Sequence, residues 1–257
     1  MKKIITIIAI SILIISCKNA SEKKMNFENQ TQSKFDKFLE SKINKQYDAV
    51  NDIQKKEFFE KYDADLSNFI DSNKVFVNWQ AQIEDIKTND YNKSTEVTCK
   101  LIYKLEEYRE VSFYCSYIVE NSKLKTDSLY NKLKRIGDFS TVYFDGFIVR
   151  NLENKITYVN DDEMLKLSYP NFKFNLLNIS EKKQEKNLSQ NLNKAVNINF
   201  EVFELLKKKV NKEISEKEWK KKMKNLQLEK IEKSLNPEEK QYSDLVKKYL
   251  VSDFMYQ

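Results

Sequence analysis

Histidine is absent from this 257-residue chain, and glycine and proline occur only twice each. Without histidine there is no Ser–His–Asp triad, no Cys–His nucleophile pair and no imidazole ligand for a metal. The three cysteines, Cys17, Cys99 and Cys115, are too few and too far apart for a zinc site of thiolates and carboxylates. Two glycines cannot build a glycine-rich phosphate loop. Turns therefore fall to Asn, Asp, Ser and Lys. No cofactor, no metal and no enzymatic activity is expected from such a chain.

What is present is charge. Charged residues make up 33% of the chain and hydrophobic ones 40%, so it can fold beneath a heavily solvated surface. Met1-Lys2-Lys3 followed by the apolar run Ile4 to Ile15 reads as a leader, too short to span a bilayer. The run ends in Ile14-Ile15-Ser16-Cys17, which resembles the lipobox of bacterial lipoproteins, with Ile14 in place of the more usual leucine. The resemblance implies a signal peptide over 1–16, a diacylated Cys17 and a membrane partner reached through that lipid. By the same analogy, Lys18 rather than Asp after the cysteine points to the outer membrane, on its periplasmic or surface face. Residues 17–34 then form a lipidated tether.

Beyond the tether the chain reads in three parts. Over 35–72, Phe35, Phe38, Leu39 and Ile43, then Phe58, Phe59, Tyr62, Leu66, Phe69 and Ile70, follow the helical period and predict an N-terminal helical pair, which Tyr47, Val50 and Ile53 extend. Over 74–179 the period shortens to two. Val75, Val77, Trp79, Ala81 and Ile83 mark a first strand, and a loop is expected from Lys87 to Lys93. Val97 to Leu105 and Val111 to Val119 mark a hairpin with its turn at 106–108.

That hairpin places Tyr103 opposite Val111, Leu101 opposite Phe113, Cys99 opposite Cys115 and Val97 opposite Tyr117, and a one-residue slip would spoil every pair. Directly opposed Cα atoms lie roughly 4.5–5.5 Å apart, within disulfide range. A Cys99–Cys115 disulfide is therefore expected, in an envelope that permits oxidation.

Residues 127–150 hold both glycines and organise the middle of the chain. Leu129, Leu133 and Ile136 predict a helix capped by Thr126 or Asp127 and ended by a left-handed Gly137. Val142, Phe144, Gly146 and Ile148 share a face of the strand that follows, with Gly146 at a bulge or bend. A long connection over 151–169, with Ile156 to Val159 as a short strand, leads to a last strand at Phe172, Phe174 and Leu176.

The order strand-strand-strand-helix-strand-strand predicts an α+β fold: a five-stranded OB-like β-barrel flanked by N-terminal helices and a C-terminal helical segment. Here the chain resembles uncharacterised bacterial proteins, many of them lipoproteins, with an OB-like domain of the tRNA-anti-like type. The Trp79 strand, Ser128-Leu129-Tyr130-Asn131-Lys132-Leu133, Gly137-Asp138, Phe144-Asp145-Gly146-Phe147 and Pro170-Asn171-Phe172-Lys173-Phe174 carry the resemblance. It departs at Phe144-Asp145-Gly146, where that group tends to have Ser before the glycine, and after Trp79, where it often has a glycine and this chain has Gln80 and Ala81. It implies a fold and no activity.

The usual OB ligand surface is the outer face of strands two and three with two neighbouring loops. Here that means Lys100, Ile102, Lys104, Ser112, Tyr114 and Ser116, with Lys87, Tyr91 and Lys93 from the first loop and Tyr158 from the long connection. An aromatic ring among lysines can stack on a base or a sugar. Yet residues 25–179 hold more acidic than basic side chains although the whole chain is +6, so a nucleic-acid partner is not expected.

The last part, 181–257, reads as a lysine-rich linker to 194 and about three amphipathic helices: Ile198 to Leu206, a capping box at Ser215/Glu218 ahead of Trp219, Met223 and Leu226, and a helix opened by Asn236-Pro237. Their apolar faces either pack together or on the barrel, or dock a partner protein or an anionic membrane surface. The expectation is a non-enzymatic lipoprotein of the cell envelope that binds a protein or a glycan. The alternatives are an envelope hydrolase using Asp138 with Asp145, or a lipoprotein that neutralises a toxin.

Overall fold

The computed structural model describes residues 29–106, 109–151, 153–160, 162–184 and 188–255. The leader, Cys17, the tether to residue 28 and the hairpin residues 107–108 lie outside the described residues. Five strands, β1 (Phe76–Asp90), β2 (Ser94–Glu106), β3 (Arg109–Glu120), β4 (Thr141–Ile148) and β5 (Asn171–Ser180), close a barrel in the order β1-β2-β3-β5-β4. Only β3 and β5 run parallel. The order is that of an OB-like barrel in an α+β fold, with helices on either side of it in sequence.

Between β2 and β3 the register runs unbroken from Ser94↔Glu120 to Lys104↔Glu110 and contains all four expected pairs. The inward residues alternate as the pattern predicts: Val97, Cys99, Leu101, Tyr103 and Leu105 face Val111, Phe113, Cys115, Tyr117 and Val119, all buried. The disulfide, however, is not formed. Cys99 and Cys115 are opposed but free. Opposed Cα atoms are necessary for a bridge and not sufficient, because the sulfurs must also meet at a specific dihedral angle. Both thiols instead fill the core as small apolar groups. The Cys115 thiol makes its contact with the Phe113 carbonyl oxygen at 3.8 Å, and burial pushes its pKa well up.

Strand β1 departs from strict alternation. Asn78 adopts φ 59°, the register shifts between Phe76 and Trp79, and both of these rings enter the core, stacked 4.0 Å apart. The expected inward Val75 and Val77 are only partly buried. A second shift lies between Glu84 and Lys87, where Asp85 has φ 57°. Asn and Asp tolerate the left-handed region, which lets a chain with two glycines build bulges. The loop expected at Lys87–Lys93 is shorter than predicted, since β1 pairs with β2 as far as Asp90 and only residues 91–93 turn.

Among the described residues two helices precede the barrel, α1 (Gln30–Gln46) and α2 (Asp52–Ser72). Helix α1 starts inside the segment read as tether, because Asn29 accepts the N–H groups of Thr31 and Gln32. It does not extend through Tyr47, Val50 and Ile53, which are exposed around the turn into α2. Phe35, Leu39 and Ile43 form its buried stripe, and the Phe35 ring lies 5.4 Å from Trp79 and 6.2 Å from Phe172, closing one end of the barrel. The buried Gln32 amide exchanges two hydrogen bonds with the Gln80 backbone.

Helix α3 (Ser128–Leu133) has Asp127 as its cap, accepting the Tyr130 N–H and the Tyr117 hydroxyl. Gly137 is not left-handed. Phe139 takes that conformation instead, at φ 65°, held by its N–H on the Ile83 carbonyl at 2.7 Å. Gly146 behaves as expected. It sits beside a register shift in β4–β5, and a Cβ there would lie 2.2 Å from the Phe174 ring and 2.4 Å from the Asn175 carbonyl oxygen.

The connection to β5 contains single bridges at Arg150↔Ile156 and Tyr158↔Phe172 and a short helix, α4 (Glu163–Ser168), that the pattern did not reveal. After β5 come α5 (Gln190–Val210), α6 (Glu216–Asn225), α7 (Leu228–Glu232) and α8 (Pro237–Met255). Helix α5 begins within the expected linker, capped by Ser189. The Ser215/Glu218 capping box is formed, and Asn236 and Glu239 exchange a second pair of cap bonds. These helices pack on each other and on the barrel. Asn199 of α5 donates to the Ser243 hydroxyl of α8 at 2.9 Å, and the Tyr249 hydroxyl donates to the Leu176 carbonyl at 3.0 Å. The Phe147 ring of β4 lies 5.3 Å from Phe200 and 6.2 Å from Tyr249.

Candidate functional site

Of the residues expected to form a ligand face, the β2–β3 register brings Lys100 directly opposite Tyr114. The Lys100 ammonium sits 5.6 Å from the centre of the Tyr114 ring and pairs with Glu110 at 3.2 Å. Further along, Glu96 accepts the Ser116 hydroxyl at 2.6 Å and the Tyr91 hydroxyl at 3.2 Å. The Ser116 bond is the main reason the Glu96 carboxyl stays below the usual range. Lys104 lies across from Glu110 on the same face, while Lys87, placed in a strand and not a loop, pairs with Asp85. Ile102 and Ser112 are buried. Tyr158 is also buried, its ring 5.2 Å from Phe172 and capped by the Lys166 ammonium, so it does not belong to an open face. The single bridge to β5 draws it inward. The large side chains left exposed are Tyr91, Tyr114 and Ile118, beside the Lys100–Glu110 pair and the Glu96 hydrogen bonds.

The two carboxylates considered as a catalytic pair each hold a backbone. Asp138 accepts the Ile86 N–H at 3.1 Å. Asp145 accepts the Asn78 N–H at 2.7 Å and the Asn178 amide at 3.4 Å, pinning the bulge in β1 to the shift in β4. Burial raises the Asp145 pKa above the usual carboxylate value, against the lowering effect of these bonds. Beside it, half-buried Tyr242 of α8 has its phenol pKa pushed well up, first by burial of the hydroxyl and then by the Asp145 charge. Among the described residues no cluster of His, Cys, Asp or Glu is placed to hold a metal ion.

A concavity lies elsewhere, beside β4. It is a cleft of about 620 Å³ between the end of α2, the β4 strand and helices α5, α6 and α8. Phe147 and Ile148 line it from β4, Phe200, Phe203 and Leu205 from α5, and Leu226 and Leu250 from beyond α6 and from α8. The charged residues on its lining are Asp71, Lys74, Arg150, Glu201, Glu204, Lys208 and Lys222. No residue of this cleft was singled out as a site from sequence. The signals were present as Phe147 on the second face of its strand and as the apolar stripe of α5, but the cleft exists only once helices far apart in the chain meet over one strand. No family model matches the chain, and no curated protein or solved structure matches it.

Proposed function

We propose that this protein is a non-enzymatic binding module held at the cell envelope, with its ligand site in the cleft between β4 and the C-terminal helices. The observation that carries the reading is the cleft itself. Its volume of about 620 Å³ falls in the range of small-molecule sites, and its lining sets apolar side chains such as Phe147, Phe200 and Leu250 beside the charged ones. Such walls favour an apolar group, whether from a small ligand or from a side chain of a protein partner, over a glycan. The lipobox-like Ile14-Ile15-Ser16-Cys17 supports anchoring through lipid on Cys17, at the outer membrane. The OB-like barrel is consistent with kinship to the lipoproteins that carry a tRNA-anti-like domain.

A second reading rests on the exposed Tyr91, Tyr114 and Ile118, a strip that suits a protein or glycan partner. One experiment separates the two. A photo-crosslinking amino acid is placed at Leu226, in the cleft, or at Tyr114, and irradiated in intact envelopes. An adduct at Leu226 is expected. An adduct only at Tyr114 moves the site to the barrel face, and none at either position overturns both. Anchoring is checked by metabolic labelling with palmitate, where Cys17→Ser should lose the label and enter the soluble fraction.

A further inference from the structure

The charges around the cleft are unevenly matched. Asp71 is paired with Arg150 at 2.9 Å, and Glu204 with Lys207 at 2.6 Å. Lys74 holds its ammonium 5.9 Å from the Phe200 ring, at the edge of the apolar wall. Lys208, in the last turn of α5, and Lys222 of α6 are exposed and have no carboxylate within ion-pair distance among the described residues, although Glu218, one turn from Lys222, feels its charge. Against these three cations stands one unpaired acid on the lining, Glu201. Phe147, Ile148, Phe200 and Leu250 line the same cleft.

An apolar-lined space of about 620 Å³ with surplus positive charge on its lining complements a molecule that has a sizeable apolar body and one anionic end. Apolar burial would supply affinity, and the lysines would fix which end faces out. Resting on the cleft as the ligand site, we propose that it binds a long-chain fatty acid, with the carboxylate toward Lys208 and Lys222 and the chain against Phe147, Phe200 and Leu250. A neutral amphiphile of equal length would fill the same space without using the lysines. An acidic amphipathic peptide would use the lysines but present a broader body than one chain.

The test uses the full chain, stripped of bound lipid on a hydrophobic resin, titrated with palmitate, decanoate and hexadecanol below their aggregation limits. Palmitate is expected to bind one per chain, with affinity rising roughly three- to fourfold per added methylene from decanoate. Lys208→Ala with Lys222→Ala should weaken palmitate roughly tenfold or more and leave hexadecanol unchanged. Both lysines are exposed, so the fold should survive, which a thermal melt verifies. Leu205→Trp, which fills the cleft, should abolish binding of both. If hexadecanol binds as well as palmitate and the lysine variant does not discriminate, the cleft remains the site but the fatty-acid proposal is overturned. If neither lipid binds while an acidic amphipathic peptide does, the occupant is a protein. If palmitate binding survives Leu205→Trp, it occurs elsewhere and the proposal fails. If no probe binds at all, the reading of the cleft as a ligand site falls with it.

Discussion

Between Ser94 and Lys104 the β2–β3 ribbon keeps an unbroken antiparallel register, and Tyr114, Ser116 and Ile118 of its outer face are open to solvent. The β4–β5 ribbon shifts register between Asp145 and Gly146, and helices α5 and α8 cover Phe147 on its outer side. Both ribbons contribute to one aromatic core, with Phe113 from the first lying 5.6 Å from Phe144 and 4.9 Å from Phe174 of the second. The difference lies in what each does with its second face. A regular strand with a mostly polar outer face needs little beyond water and a few ion pairs, and on β2–β3 Ile102 and Ser112 are the buried exceptions. A strand with Phe147 and Ile148 adjacent has apolar groups on both sides and must be covered. The covering helices leave a cleft, so this concavity borders the irregular ribbon and not the regular one whose outer face is the usual OB ligand surface.

The largest expected break of this contrast is Gly146→Ala. Its Cβ would meet the Asn175 backbone at 2.4 Å, and backbone cannot swing aside as a side chain can. A loss of about 3 kcal/mol or more is expected in urea unfolding, since overpacking at a rigid site costs that much at its upper end. A wild-type midpoint for this variant would mean that β4 and β5 do not approach as described.

Asp145→Asn tests the clasp between the two irregularities. The folded-state pKa of Asp145 is raised, so as pH climbs through the window above the unfolded value the unfolded chain releases this proton first. Wild-type stability therefore falls across that window relative to Asp145→Asn, and the contribution is flat below the unfolded value and above the folded one. Denaturation at a series of pH values should show the variant gaining on the wild type as pH rises. A constant difference would remove the buried carboxylate from the account.

Gly137→Ala should act in the opposite sense from Gly146→Ala. Gly137 has no positive φ, and a Cβ there meets only the Ser140 hydroxyl at 3.8 Å. A gain of about 0.4–1 kcal/mol is expected through the less free unfolded chain. Destabilisation would restore the left-handed role that its sequence position suggests. The smallest effect belongs to Tyr114→Ala on the regular ribbon, within about 0.5 kcal/mol in the same assay, because the ring is exposed and its lysine retains Glu110.

The barrel was legible where one periodicity ruled. Pairing across β2 and β3 follows from alternation alone, since any slip would expose half the core. Helix ends were legible where side chains cap them, as at Asp127, Ser215 and Asn236. Alternation misled at Val75 and Val77, because Asn78 carries a left-handed bulge that a non-glycine residue does not advertise. Glycine after α3 points to a left-handed Gly137, while the chain puts that conformation on Phe139. Cα proximity suggested a bridge between Cys99 and Cys115, although sulfur geometry is set by rotamers that spacing does not contain. Tyr158 looked like a loop aromatic until its bridge to Phe172 took it inside.

The amino-acid order alone determined the strand-strand-strand-helix-strand-strand succession, the inward set of β2 and β3 and the amphipathic helices at either end. These follow from interactions between near neighbours, in which one residue's position predicts the next. Only the tertiary structure decided which outer face stays open, where Asp145 is buried and that a cleft forms beside Phe147. Each depends on segments far apart in the chain, α2, β4, α5 and α8, meeting to bury apolar surface that none of them could bury alone.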